Sequence, residues 1–191
     1  LYTVGGGVSL TAGCLGFGTT TTTQQTTEPD PEIRTLSREQ PEEAVDCGSE
    51  ELQVVGSQTD ESFSQQAGGL ELTASSRTVT IGNEITFSLR NISNETEDIG
   101  GIHKYDIQRR EDDEWIPVYY TPRRGWTDEA VRIAPGGGYD WSFIFDRDGL
   151  ERENPGNPTY YVCSPVHSGK YRFGFWGSDG ELATTVTAEG S

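Results

Sequence analysis

From Gly69 onward, apolar side chains recur at every second position in short runs, and turn-forming residues separate the runs. Leu70-Glu71-Leu72-Thr73 alternates, as do Ile85, Phe87 and Leu89 against Thr86, Ser88 and Arg90. Tyr105 and Ile107 alternate with Asp106 and Gln108, and Tyr139, Trp141, Phe143 and Phe145 form the next apolar set. Successive side chains of a strand point to opposite faces, so each run makes one apolar and one wet face. Tyr171, Phe173 and Phe175 follow Gly169, and Leu182 to Ala188 closes the block. Gly82-Asn83, Asp112-Asp113 and Pro135-Gly136-Gly137-Gly138 punctuate the runs, with Asp112-Asp113 set as a hairpin turn into Trp115. No long helical period occurs. The pattern predicts an all-β sandwich of about seven strands. Leu52, Val54 and Val55 add a short strand upstream, so the folded unit is expected over residues 47–191.

The chain before that block reads differently. Thr19 to Thr23, Gln24-Gln25 and Thr26-Thr27 form a polar low-complexity run, and Pro29, Pro31 and Pro41 follow among Glu and Asp. Such a composition buries too little apolar surface to offset chain entropy, which predicts a disordered acidic tether over residues 15–46. Residues 1–14 are uncharged, small and apolar, too short for a span of about 20 apolar residues and similar to the end of a secretory signal.

Leu10-Thr11-Ala12-Gly13-Cys14 resembles a lipobox, in which small residues fit a peptidase and the cysteine thiol accepts a lipid. The wider stretch from Gly5-Gly6-Gly7 to Leu15-Gly16 resembles the leaders of haloarchaeal lipoproteins, without the Arg-Arg pair of the twin-arginine route. The resemblance implies lipidation at Cys14 and a place on the outer face of the cell membrane. A second resemblance covers roughly residues 70–188. Ile85-Thr86-Phe87-x-Leu89-x-Asn91, Trp115-x-Pro117-Val118, Pro135-Gly136, Tyr139-x-Trp141 and Gly169-Lys170-Tyr171-Arg172 occur in the order found in bacterial immunoglobulin-like domains. That family implies a sandwich common on surface lipoproteins. It implies no reaction, because a fold does not fix a function.

Charge narrows the partners. The net charge is −17, with 31 acidic and 14 basic residues. Residues 28–68 carry 11 acids and 2 bases, and residues 69–191 carry 20 and 12, so the folded block is itself acidic. A nucleic-acid partner needs the opposite balance. Excess carboxylate suits concentrated salt, where a Debye length of roughly 3 Å at 1 M screens self-repulsion while the charge keeps the protein soluble.

Three cysteines are present. With Cys14 lipidated, Cys47 and Cys163 remain, and outside the cell an even pair is most simply a disulfide; two separate buried thiols are the other reading. The bridge would staple the start of the domain to an unusually long segment, Glu151 to Ser168, which contains Asn154-Pro155-Gly156-Asn157-Pro158.

Other chemistry is thin. His103 and His167 are the two histidines, and neither has a partner at ligand spacing, so no metal or cofactor is expected. Asp146-x-Asp148-Gly149-x-Glu151-x-Glu153 places its glycine at the fourth position, where a calcium loop needs the sixth. No Gly-x-Ser-x-Gly elbow or phosphate loop occurs. Asn91-Ile92-Ser93 and Asn94-Glu95-Thr96 are glycosylation sequons. Tyr119, Tyr120, Trp126, Tyr160, Tyr161 and Trp176 are candidates for a contact patch. The expected role is that of a non-catalytic, lipid-anchored surface protein whose domain makes protein or glycan contacts or supports the envelope. Two rivals are a filament or S-layer subunit, pairing Leu52–Gln58 with a neighbour's sheet edge, and an accessory ligand-binding subunit or small hydrolase.

Overall fold

The computed structural model describes residues 31–56 and 63–190. Its elements in chain order begin with β1 (Ile33–Thr35), β2 (Gln53–Val54), β3 (Gln66–Ala67), β4 (Leu70–Ala74), β5 (Thr78–Thr80), β6 (Glu84–Asn91), β7 (Glu97–Gly100) and β8 (Tyr105–Glu111). There follow β9 (Glu114–Pro117), β10 (Tyr119–Thr121), β11 (Ala130–Ile133), β12 (Gly138–Ile144), α1 (Arg147–Leu150), β13 (Tyr161–Val162), β14 (Gly169–Phe175) and β15 (Leu182–Glu189). The chain is an all-β sandwich, as its alternation predicts. It has more than seven strands, because short segments at both edges extend the sheets.

One five-stranded sheet runs β1-β12-β6-β4-β3 and the other β5-β15-β14-β8-β9; β13-β10-β2 and β11-β7 form smaller pieces. Most pairs are antiparallel, but β1 joins β12 and β5 joins β15 in parallel at the sheet edges. Asp112 and Asp113 both adopt positive φ, 42° and 67°, which is the geometry of a tight hairpin linking β8 to β9.

The core lies between the two large sheets and is aromatic. Phe87 of β6 stacks on Phe173 of β14 with centroids 4.4 Å apart, and Trp141 of β12 meets Phe173 at 5.0 Å. Three of the polar tips find main-chain oxygens: Trp141 Nε1 donates to Ile102 O at 2.8 Å, Tyr139 to Gly100 O and Tyr119 to Leu150 O, each at 3.0 Å. These bonds let Trp141, Tyr139 and Tyr119 enter the interior with their donors satisfied. At Gly138 the strands approach so closely that a Cβ would run into the Leu89 carbonyl. Glycine is what allows β12 to sit between β1 and β6 at that end.

The tether expected over residues 15–46 ends earlier than its composition implies. Ile33, Arg34 and Thr35 pair with Gly138, Tyr139 and Asp140, and Leu36 is 4% exposed in the core. Acid-rich flanks masked this, because a three-residue edge strand with one buried leucine has no periodicity to detect. Residues 15–30 of the expected tether, with Cys14 and its lipobox, lie outside the described residues. The strand foreseen at Leu52–Gln58 shrinks to β2 and is used internally, Val54 pairing with Tyr120 and Gln53 with Thr121. β2 stands at the edge of the small β13-β10-β2 sheet, paired on one side with β10. Among the described residues no helix is long and apolar enough to cross a membrane.

Cys47 and Cys163 form a disulfide, with Cα atoms 5.5 Å apart and 116 positions between them in sequence. The bridge ties the segment leading into β2 to the residue that follows β13. These two strands flank β10 in the small sheet, so the long 151–168 segment is braced. Arg152 completes the bracing. It is 3% exposed and donates to the carbonyls of Gly149, Glu151 and Ser142, with its guanidinium over the Phe143 ring.

Candidate functional site

The outward face of β15, β14, β8 and β9 carries the site. Residues whose neighbours point into the core must point out, so Lys170 and Arg172 on β14, Gln108 and Arg110 on β8, and Thr185 and Thr187 on β15 share one face. Register then fixes who stands beside whom. Thr187 pairs with Lys170 and Thr185 with Arg172. Arg172 pairs with Gln108 and Tyr171 with Arg109, and continuing that register sets Lys170 across from Arg110. Arg110 pairs with Trp115 of β9. On the other flank the Arg77 carbonyl accepts from Thr187 N at 2.9 Å, so Arg77 closes the row just ahead of β5.

These side chains floor a groove of about 840 Å³, with Phe63 and Gln65 on one wall and Trp115 on the other. Four cations line it, Arg77, Arg110, Lys170 and Arg172, and no Asp or Glu is among the described lining residues. In a chain with 31 acids and 14 bases, that segregation makes a positive strip on a negative body.

Arg172 is held with care. Its guanidinium lies 3.7 Å from the Phe63 ring centroid and 4.6 Å from that of Trp115, and Arg110 also covers Trp115 at 5.2 Å. The flat guanidinium stacks on aromatic faces while its N–H groups donate in its own plane. Arg172 Nε and Nη2 donate to Gln108 Oε1 at 2.9 and 2.6 Å, and Gln108 Nε2 donates to Asp106 Oδ2 at 2.7 Å. The three side chains form one polar relay across the sheet face. Alternation had placed Asp106 and Gln108 on the wet side; they are on the outer side, but buried at 4% and 3% exposure. The backbone of Gly56 lies against the Asp106 carboxyl from above and that of Gly174 from the side, where a Cβ on either would collide with it. Burial raises the Asp106 carboxyl to about 7, against the opposing hydrogen bond from Gln108 and the charge of Arg172.

The residues singled out in the sequence fall elsewhere. Asn91 is 2% exposed and its amide donates to Glu95 O and Ile133 O, so the folded protein presents no sugar acceptor there. Asn94 is exposed. Tyr119 and Tyr160 are core residues, each 0% exposed, and do not contribute to a surface patch. Trp126 and Trp176 remain half-buried, meet edge to face at 5.0 Å and, with Arg124 and Glu181, border a separate hollow of about 390 Å³. His103 is joined to Asn154 at 3.0 Å, and its burial lowers its pKa. Asp146 caps α1, accepting from Gly149 N at 2.7 Å, which gives the acidic 146–153 run a structural task. Among the described residues no group of three metal-ligating side chains converges.

No protein-family model matches the chain, and no curated protein matches it. Solved structures that it resembles include the β-glucosidase of Listeria innocua in complex with laminaribiose (a mutant form), at 19% identity and a TM-score of 0.32. The same enzyme with gluconolactone gives 17% and 0.32, and with glucose 19% and 0.32. Each match covers 63% of this chain and only 16% of the enzyme. Agreement at that level carries no conclusion about activity.

Proposed function

We propose that the chain is a non-catalytic binding protein, held at the outer face of a cell membrane by a lipid on Cys14, whose sandwich takes an anionic partner in the Arg/Lys groove. The observation that supports this reading is the collection of Arg77, Arg110, Lys170 and Arg172 along one groove of an otherwise acidic chain. Cations gathered in a row on one face attract an outside anion more strongly than the same charges scattered over the surface. At about 0.15 M salt the Debye length is roughly 8 Å, so distant carboxylates oppose such a ligand less than the strip attracts it. Asp113 pairs with Arg110 at 3.5 Å at the groove's end. The lipid anchor and the salt-rich setting come from the lipobox and the charge, and acyl mass on Cys14 of the native protein tests the anchor.

Charge reversal tests the groove. Lys170 and Arg77 are both exposed, so Lys170→Glu with Arg77→Glu should leave the fold intact, with thermal unfolding unchanged within a few degrees. Binding of the chain to dextran sulfate should fall at least tenfold. Unaltered binding in the double variant would remove the groove from the account.

A further inference from the structure

From the layout of the groove, and resting on the anionic reading above, we infer that its ligand is a linear acidic polysaccharide laid across the strands. The cations are arranged transversely. Lys170 and Arg110 stand on adjacent strands, and Arg77 lies two strands from Lys170 on the far side of β15. Adjacent strands are about 4.8 Å apart, so the backbone positions that carry these cations fall about 5 and 10 Å apart along a line perpendicular to the strands. One ring of a sugar chain is close to one such step, so carboxyls carried on successive or alternate rings meet that spacing. An extended acidic peptide presents same-side carboxylates about 6.8 Å apart and falls out of step with the strip.

The floor gives a second argument. β14 is hydrogen-bonded to β15 and β8, and β15 to β14 and β5, so the main chain beneath the groove is fully engaged in its ladders. Peptides bound to sheets gain most of their affinity by adding a strand at an open edge, and β15, β14 and β8 along the middle of the groove are interior strands. A peptide here would leave its own N–H and C=O groups without matched partners, at a cost. A polysaccharide has no such backbone requirement. Its hydroxyls need side-chain donors and acceptors between the charges, and Thr185 and Thr187 supply them from the strand that separates Arg77 from Lys170. Trp115 closes the far end of the row with a ring face.

Calorimetric titration of the full chain at about 0.15 M salt, with polygalacturonate, poly-L-glutamate of similar charge number and neutral dextran, tests the inference. The expected result is polygalacturonate at least tenfold tighter than poly-L-glutamate, with no heat from dextran. Thr185→Val with Thr187→Val should weaken polygalacturonate about fivefold and leave poly-L-glutamate unchanged. Poly-L-glutamate binding as tightly as polygalacturonate, both lost in the Lys170→Glu, Arg77→Glu variant, overturns the polysaccharide assignment and leaves the anion groove standing. Failure of both polyanions to bind, or equal binding of dextran, overturns the anion groove and this inference together.

Discussion

Replacing both Cys47 and Cys163 by Ser is expected to lower the free energy of unfolding by about 4–5 kcal/mol. The bridge closes a loop of 116 positions, and on the chain-entropy account a closed loop of that length removes this much freedom from the unfolded chain. Single domains are stable by only about 5–15 kcal/mol, so the loss is a large share of the whole. The consequence is also local. β2 is two residues long, and its ladder to β10 consists of the pairs Gln53–Thr121 and Val54–Tyr120. Without the bridge, little but this ladder and the buried Val55 side chain holds the entering segment. Equilibrium unfolding in urea, with hydrogen exchange read at residues 45–55, checks both parts. A double Ser variant within about 1 kcal/mol of the parent, with unchanged exchange at those residues, would contradict the assigned role of the bridge.

The second large effect is a pH dependence centred on Asp106. Its carboxyl is raised from 3.8 to about 7 in the folded protein. Between those values the folded protein keeps a proton that the unfolded chain has released. Stability from this group is therefore complete below about pH 4, declines as pH rises through about 7, and is flat above. The change spans roughly three pH units, so it amounts to at most about 4 kcal/mol. The groups facing Asp106 are Gln108 and Arg172, which favour the charged form, and Glu181, which opposes it. Asp106→Asn keeps an acceptor for Gln108 Nε2 and removes the titration. The variant should match the parent near pH 4.5 and exceed it by several kcal/mol at pH 8.5, in 1 M salt to screen the general repulsion of 31 acids. Denaturant unfolding of both proteins at the two pH values measures it. A variant less stable than the parent at pH 8.5 would show that Asp106 is held as a working carboxylate instead.

How far the sequence discloses this molecule depends on the length of each element. β6, β12, β14 and β15 are seven or eight residues long, long enough for their alternation to be plain. β1, β3 and β13 span two or three residues; they exist because partners across the sheet accept them, and no local pattern marks them, whereas the apolar Leu52, Val54 and Val55 signal the two-residue β2. Three cysteines by themselves leave open which two pair; Cys47 and Cys163 are the expected pair only when Cys14 is set aside as a lipid acceptor, and the structure joins those two. The groove does not follow from any local rule. Arg77, Arg110 and the Lys170/Arg172 pair of β14 lie far apart in sequence and meet only through cross-strand register, which one chain's periodicity leaves unspecified. The polar relay misled for a related reason. Alternation assigns Asp106, Gln108 and Arg172 correctly to the outer face of the sheet, but it cannot say that Gly56 lies against Asp106 and the Phe63 ring against Arg172 on that face. Asn91 shows the converse: its sequon is a surface signal, yet its side chain is consumed in fastening β6 to the 133–137 turn.

The most direct test of the central claim, that the outer face of β14 and its neighbours is where this protein meets an anion, is to map the contact itself. Backbone amide resonances would be followed while a short acidic oligosaccharide, trigalacturonate, is added. The account predicts shifts concentrated at Arg77, Arg110, Trp115, Lys170, Thr185 and Thr187, with the Trp126–Trp176 hollow unmoved. Shifts centred on that hollow, or spread without focus over the surface, would contradict it.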